Sequence, residues 1–134
     1  MGTSRQVVIF RLNQKDANTT FRCGQLNGLT ASPTAGQYLE ALDADTNWFT
    51  VTEDSNTPVR TDTGIAVDTA WHKLVIERIA DSVVRFFLDG VLVATHTTGI
   101  TKTDSYVNCV LTNSTTADKT VDYDYMSFKM QLSR

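Results

Sequence analysis

Apolar and polar residues alternate with a period of two along most of this chain. That is the spacing of a half-buried β-strand and not of an amphipathic helix. The clearest stretch is residues 68–98, DTAWHKLVIERIADSVVRFFLDGVLVATHTT. It contains three strand-like runs, at 71–77, 82–88 and 91–95. Asp89-Gly90 separates the last two. A two-residue Asp-Gly between apolar runs predicts a type I′ hairpin, because both residues tolerate positive φ. Ala80-Asp81 predicts the other turn, so the segment reads as a three-stranded meander. Within it, Leu74, Ile76, Val84, Phe86 and Leu88 are expected to face inward, and Lys73, Glu77 and Arg85 outward. Phe87 breaks the alternation, which predicts that its face is covered too.

The same pattern predicts strands at 5–12, 19–25, 37–43, 47–53, 59–63, 105–112 and 119–131. Residues 39–42 (LEAL) are good helix formers, but Gly36 and Asp43 bound a stretch too short for a stable helix. The last run exceeds ordinary strand length and is expected to bend or bulge. Residues 27–36 and 113–118 read as loops, and 54–58 as a turn with Pro58 opening the next strand. Short strands with turns at regular spacing predict an all-β antiparallel sandwich or barrel of about ten strands.

Composition sharpens this picture. The 134 residues make one domain, long enough to bury a core. Thr and then Val are the commonest residues, which favours strands. The net charge of −3 and the lack of a Lys/Arg cluster argue against nucleic-acid binding and against a polybasic membrane surface. No apolar run approaches a membrane-spanning length, and the first residues lack the apolar core of a signal peptide. Cys23 and Cys109 each sit in an apolar run and are read as two small buried hydrophobes; they could pair only if their strands were neighbours.

Candidate chemistry is sparse. Asp62-Thr63-Gly64 copies the aspartic-protease tripeptide, but there is no second copy to share the proton, so it is read as a turn. Glu40-Ala-Leu-Asp43 is the nearest approach to an acid constellation of the β-sandwich glucanase type, and its spacing is wrong. Asp122 and Asp124 are expected to share one strand face. His72 and His96 have no metal-ligand spacing, and neither has a nucleophile nearby in sequence. Asn18-Thr19-Thr20 and Asn113-Ser114-Thr115 match the N-glycosylation pattern, a match expected by chance in so Thr-rich a chain. Trp48, Trp71 and Tyr38 are rings that could stack on a sugar or fill a core. Trp71 is assigned to the core. Trp48, with Asp54, Asn56 and Arg60 following it, forms the candidate ligand site, an aromatic ring beside polar hydrogen-bonding groups.

The meander also carries a resemblance. Trp71 to Glu77, followed by Val84 to Thr98, resembles the core strand and Asp-Gly hairpin of concanavalin A-like, laminin-G-like jelly-roll domains. Thr61 to Val67 resembles the run ahead of that strand, and Val121 to Met126 the closing strand. The flavour is similar to domains in structural proteins of tailed bacteriophages. The resemblance implies a jelly-roll sandwich of two antiparallel sheets without catalysis or cofactor. It implies a place on a virion surface (tail fibre, tail tip or capsid decoration) and attachment to a host glycan or another virion protein. A lectin-like module of a bacterial or extracellular protein is the alternative. The chain starts at what resembles an interior strand, which implies a free sheet edge that a neighbouring subunit could fill, as in a trimer. It carries none of the calcium-ligand or glucanase residues of the relatives.

Overall fold

A computed structural model describes residues 2–28, 32–102 and 106–131. Ten strands and no helix are found among them. In chain order these are β1 (Thr3–Leu12), β2 (Thr19–Leu26), β3 (Gly36–Ala41), β4 (Asn47–Asp54) and β5 (Thr57–Ala66), then β6 (His72–Ile79), β7 (Val83–Leu88), β8 (Val91–His96), β9 (Tyr106–Asn113) and β10 (Val121–Gln131). They form two five-stranded antiparallel sheets, ordered β10-β1-β6-β7-β8 and β5-β4-β3-β2-β9. The meander supplies β6, β7 and β8 as expected. Asp89 and Gly90 both take positive φ, as the predicted turn requires.

The helix-forming residues of β3 are held as a strand because β2 and β4 flank it on both sides, and every residue of β3 is buried. Tertiary pairing overrides local propensity there. The β4–β5 turn is tighter than the expected five-residue turn. Asp54 pairs with Thr57, leaving Ser55 and Asn56 as a two-residue turn with positive φ at both. In β10, the pairing with β1 slips at Asp124, which lies between Tyr123 opposite Phe10 and Tyr125 opposite Ile9. This bulge bends the long strand, and it breaks the alternation that would have set Asp122 and Asp124 on one face. Asp122 instead accepts hydrogen bonds from Arg11 at 2.5 Å and Asn13 at 3.2 Å, which lower its carboxyl pKa, the Arg11 bond most.

The inner faces meet in one apolar core, with Gln6, Gln25 and Gln37 also buried between the sheets. Leu74, Ile76, Val84, Phe86 and Leu88 all point into it and are fully buried. At its centre Phe10 stacks on Phe21 with centroids 5.1 Å apart, and Trp48 meets both rings edge-on. Phe87 is half-buried on the opposite face, next to the buried Val75 that it pairs with, so its face is partly covered by its own neighbours. Of the two readings open for Trp48 the structure takes the core, and the core assignment of Trp71 is overturned. Trp48 is wholly buried, whereas Trp71 precedes β6, is 46% exposed and lies under the Arg11 guanidinium. Position beside a turn does not decide exposure; the inward phase of β4 does.

The cysteines, whose pairing the sequence leaves open, meet on neighbouring strands. Cys23 on β2 and Cys109 on β9 stand directly opposite each other in the ladder and form a disulfide. Opposed positions on neighbouring antiparallel strands bring the two side chains onto one face, a proximity that sequence separation concealed.

His96 ties the two sheets together. Thr52 Oγ1 donates to the Thr98 carbonyl at 2.9 Å, so it accepts from His96 Nδ1; the Thr50 hydroxyl donates to Nε2 at 2.9 Å. Both threonines lie on β4, and Phe86 packs edge-on against the imidazole. This pattern satisfies a neutral ring, and burial lowers its pKa below 6.5. The unfolded chain therefore takes up a proton that the folded ring resists. Stability from this site is full above about pH 6.5 and falls as the pH drops through that value. Urea midpoints between pH 7 and 5 should fall less steeply for His96→Gln than for the native chain. Reduction should lower the urea midpoint too, because the bond closes a loop of 86 residues, worth roughly 4–5 kcal/mol in the chain-entropy account. Thiol titration of the unfolded, unreduced protein should find no free thiol.

Candidate functional site

The outer face of the second sheet carries the most developed polar arrangement. Strand alternation puts Arg22 of β2, Tyr38 and Glu40 of β3, Phe49, Val51 and Glu53 of β4, and Pro58 and Arg60 of β5 on this one side. The register arranges them in rows. Arg22, Glu40, Phe49 and Asp62 form one row, Gly24, Tyr38, Val51 and Arg60 the next, and Leu26, Gly36, Glu53 and Pro58 the third. Gly24 is required there: with φ +157°, any Cβ at this position would stand 2.8 Å from Tyr38 Cβ. A Cβ there would also stand 2.4 Å from the Gln37 carbonyl oxygen, so the glycine lets β2 approach β3 this closely.

Residues 32–35, ahead of β3, border part of this face. The Asn27 side chain accepts from the Thr34 and Ala35 backbone N–H groups at 3.1 and 3.3 Å, and Asn56 N donates to the Thr34 carbonyl at 2.9 Å. Leu26, Tyr38 and Val51 form a small buried apolar cluster on this side. What stays open is a cleft of about 240 Å³ lined by Ser32, Pro33, Tyr38, Glu40, Glu53 and Arg60, with Arg22, Leu42 and Pro58 at its margins.

Its polar groups are fixed by one another. Arg22 Nε donates to Glu40 Oε2 at 2.7 Å, and Arg60 Nε donates to Glu40 Oε1 at 2.8 Å. Arg60 also donates to Asp45 through Nη2 and lies 3.5 Å above the centre of the Phe49 ring. Tyr38 donates its hydroxyl proton to Glu53 Oε2 at 2.6 Å. Burial first, and then that bond, push the Tyr38 pKa far above its ordinary value, so it stays a donor at any working pH. Charge-assisted bonds of this length hold the guanidinium planes and carboxylates rigid before a ligand arrives.

Of the sequence-predicted site residues, only Arg60 lines this cleft. Trp48 is sealed in the core on the other side of its sheet, so its ring has no face to offer a ligand. The pleat turns Asp54 to the side shared with Thr50 and Thr52, and Asn56 forms the hairpin turn. The four do not converge. Arg22, Tyr38, Glu40 and Glu53 are the residues the sequence reading missed as a group. Each stands on the outward phase of its strand, and cross-strand register alone brings them together.

Elsewhere, His72 is bracketed by Asp89 at 2.7 Å on Nδ1 and Asp68 at 3.0 Å on Nε2. Asp89 Oδ1 also accepts from Lys73 N at 2.8 Å, which anchors the Asp-Gly hairpin to β6. Asp62 accepts from the Gly64 N–H at 2.8 Å and from Asn47; the Asp-Thr-Gly tripeptide lies inside β5, where the register with β4 shifts and Gly64 takes positive φ, and is a bulge in place of the expected turn.

No protein-family model matches the chain, and no curated protein matches its sequence. Solved structures do share its fold. The Bacillus licheniformis β-glucanase superposes with a TM-score of 0.69 at 15% identity, covering 98% of this chain and 68% of its own. The carbohydrate recognition domain of Emp47p gives 0.70 at 10% identity, over 98% and 73%. The binding domain of botulinum neurotoxin DC, solved in complex with rat synaptotagmin II, gives 0.62 at 9% identity, over 95% of this chain and 32% of that one. The chain thus spans about a third of the neurotoxin domain. At these identities the likeness establishes a concanavalin A-like jelly-roll sandwich. Removing Glu40 should leave two guanidinium groups facing each other. Glu40→Ala is expected to lower unfolding stability by about 3 kcal/mol, while Glu77→Ala, whose partner Arg5 is exposed, should cost under about 1 kcal/mol; urea denaturation measures both.

Proposed function

We propose that this chain is a non-enzymatic, glycan-binding sandwich module that takes a sugar residue in the cleft over Tyr38, Glu40 and Arg60. The preorganised polar lining carries this reading. A sugar offers hydroxyls that both donate and accept, and the cleft sets fixed guanidinium donors beside carboxylate acceptors. Its volume of about 240 Å³ falls below the roughly 300 Å³ at which drug-sized sites begin, which suits one residue of a chain and not a long oligosaccharide. Among the similar folds, one is a carbohydrate recognition domain and another belongs to a neurotoxin whose cell entry depends on two ganglioside molecules.

The absence of catalysis is part of the proposal. Both Glu40 oxygens are occupied by arginines. Glu53 accepts the Tyr38 hydroxyl bond at 2.6 Å, so the second carboxylate of the cleft is engaged as well. The finer reading places the module on a bacteriophage virion surface, as tail fibre, tail tip or capsid decoration, facing a host glycan or another virion protein. It rests on the sequence resemblance at residues 61–98 and 121–126. An extracellular lectin-like role is its alternative. The Cys23–Cys109 bond favours an oxidising setting and accords with both.

Arg60→Gln should weaken binding to a hit from a glycan array about tenfold, the scale of one charge-assisted hydrogen bond, while Arg5→Gln on the other sheet leaves it unchanged. Equal binding by both variants, or hydrolysis of a polysaccharide panel, would overturn the reading. Peptides of this chain in purified phage particles would establish the virion setting.

A further inference from the structure

The first sheet gathers cations that the chain keeps apart. On its outer face, register sets Lys129, Arg5, Glu77 and Arg85 in one cross-strand row. Ser127, Val7, Val75 and Phe87 form the next row, and Tyr125, Ile9 and Lys73 the third. Glu77 is the one acid in these rows, against four cations, in a chain of net charge −3. It engages Arg5. No described residue pairs with the exposed side chains of Lys73, Arg85 or Lys129. Lys129 stands directly opposite Arg5, and like charges so placed destabilise a sheet. An anion seated over the row removes that cost.

Two clefts adjoin the row. One of about 220 Å³ is lined by Arg5, Lys73, Val75, Glu77, Phe87 and Gly90. The other, also about 220 Å³, is lined by Thr3, Ser4, Arg5, Lys129, Met130 and Gln131. Arg5 divides them. We propose that this face binds a carboxylated polysaccharide laid across the strands, with one ring in each cleft and with Lys73 and Lys129 on its carboxylates. The site is separate from the cleft over Glu40 and does not rest on it. Each cleft is below the size of a drug-sized site and suits a single ring. Each joins an unpaired ammonium to groups that bond hydroxyls, Glu77 in one and Thr3 with Gln131 in the other. Each also has an apolar patch for the C–H face of a ring, Val75 with Phe87 in one and Met130 in the other. Nucleic acid fits less well, because Glu77 lies inside the row that its phosphates would follow. A membrane fits less well, because the central Val7 and Val75 are buried and offer nothing to insert. An acidic peptide brings carboxylates but few hydroxyls for Glu77 to accept from.

The experiment measures binding of the full chain at low salt to immobilised polygalacturonate, alginate and hyaluronate. Methyl-esterified polygalacturonate, poly-glutamate, an oligothymidylate and phosphatidylserine vesicles stand beside them, and thermal melts confirm folding of each variant. At least one carboxylated polysaccharide should bind, more weakly as salt rises, and the methyl ester should not. Lys73→Gln and Lys129→Gln should each weaken binding roughly threefold, the scale of an exposed ion pair. Lys102→Gln removes the same charge outside these rows and should leave binding unchanged. Failure of all three polysaccharides, equal binding of the ester, or an equal loss with Lys102→Gln overturns the proposal. So does tighter binding of poly-glutamate, the oligothymidylate or the vesicles. Loss with Arg60→Gln but not with Lys73→Gln or Lys129→Gln would move the acidic glycan to the cleft of the second sheet and overturn it too. Binding of the cleft's own array hit is read separately, so failure of this site leaves the cleft assignment standing.

Discussion

The contact between the inner faces of the two sheets is what the rest of this molecule depends on. Neither sheet can exist alone in water, because each presents a largely apolar side. Phe10 from one sheet and Phe21 and Trp48 from the other lock as a ring cluster at its centre. Burying a side chain of this size contributes about 1.5–3 kcal/mol, so the cluster outweighs any single polar contact in the chain. Trp48 does this although its Nε1 finds no hydrogen-bond partner, a cost that the packing offsets. His96 and the Cys23–Cys109 bond then trim the two flanks, one bridging the sheets near β8 and the other fastening the edge strand β9 to β2.

Once the inner phase of each strand is committed to that contact, the outer phase is free for other uses. The second sheet spends it on a polar lattice in which Glu40 holds two arginines and Tyr38 holds Glu53. Packed against apolar Val51 and Leu26 and walled by Pro33, these groups lie in a medium less polar than water. Their bonds are stronger and more rigid for it. The first sheet leaves its outer face to scattered pairs such as Arg5–Glu77 and Arg11–Asp122, which stay hydrated and exposed. Ser32 and Pro33, ahead of β3, wall the cleft on the second sheet.

Much of the fold was legible in the sequence because a strand's period of two is written locally. The inward set of the meander, the Asp-Gly turn and the bulged last strand all follow from residues within a few positions of one another. The site was far less legible. Arg60 was identified, but as the neighbour of Trp48 and Asp54, which strand phase sends to the opposite side. The pattern of the strand it introduces predicts Trp71 inward; it sits one residue before that strand, under the Arg11 guanidinium and 46% exposed.

The sequence by itself determined the class of fold, the count of strands and which side chains of each strand share a face, since backbone geometry ties those properties to nearest neighbours. Only the tertiary structure decided which strands lie side by side. Cys23 meets Cys109, and Glu40 meets both Arg22 and Arg60, through pairings between strands that are distant or separated by loops. The physical reason is that register in a sheet is set by the summed fit of whole apolar faces and by loop lengths. No single residue carries that information, and a polar cluster on the outer face inherits it without having caused it.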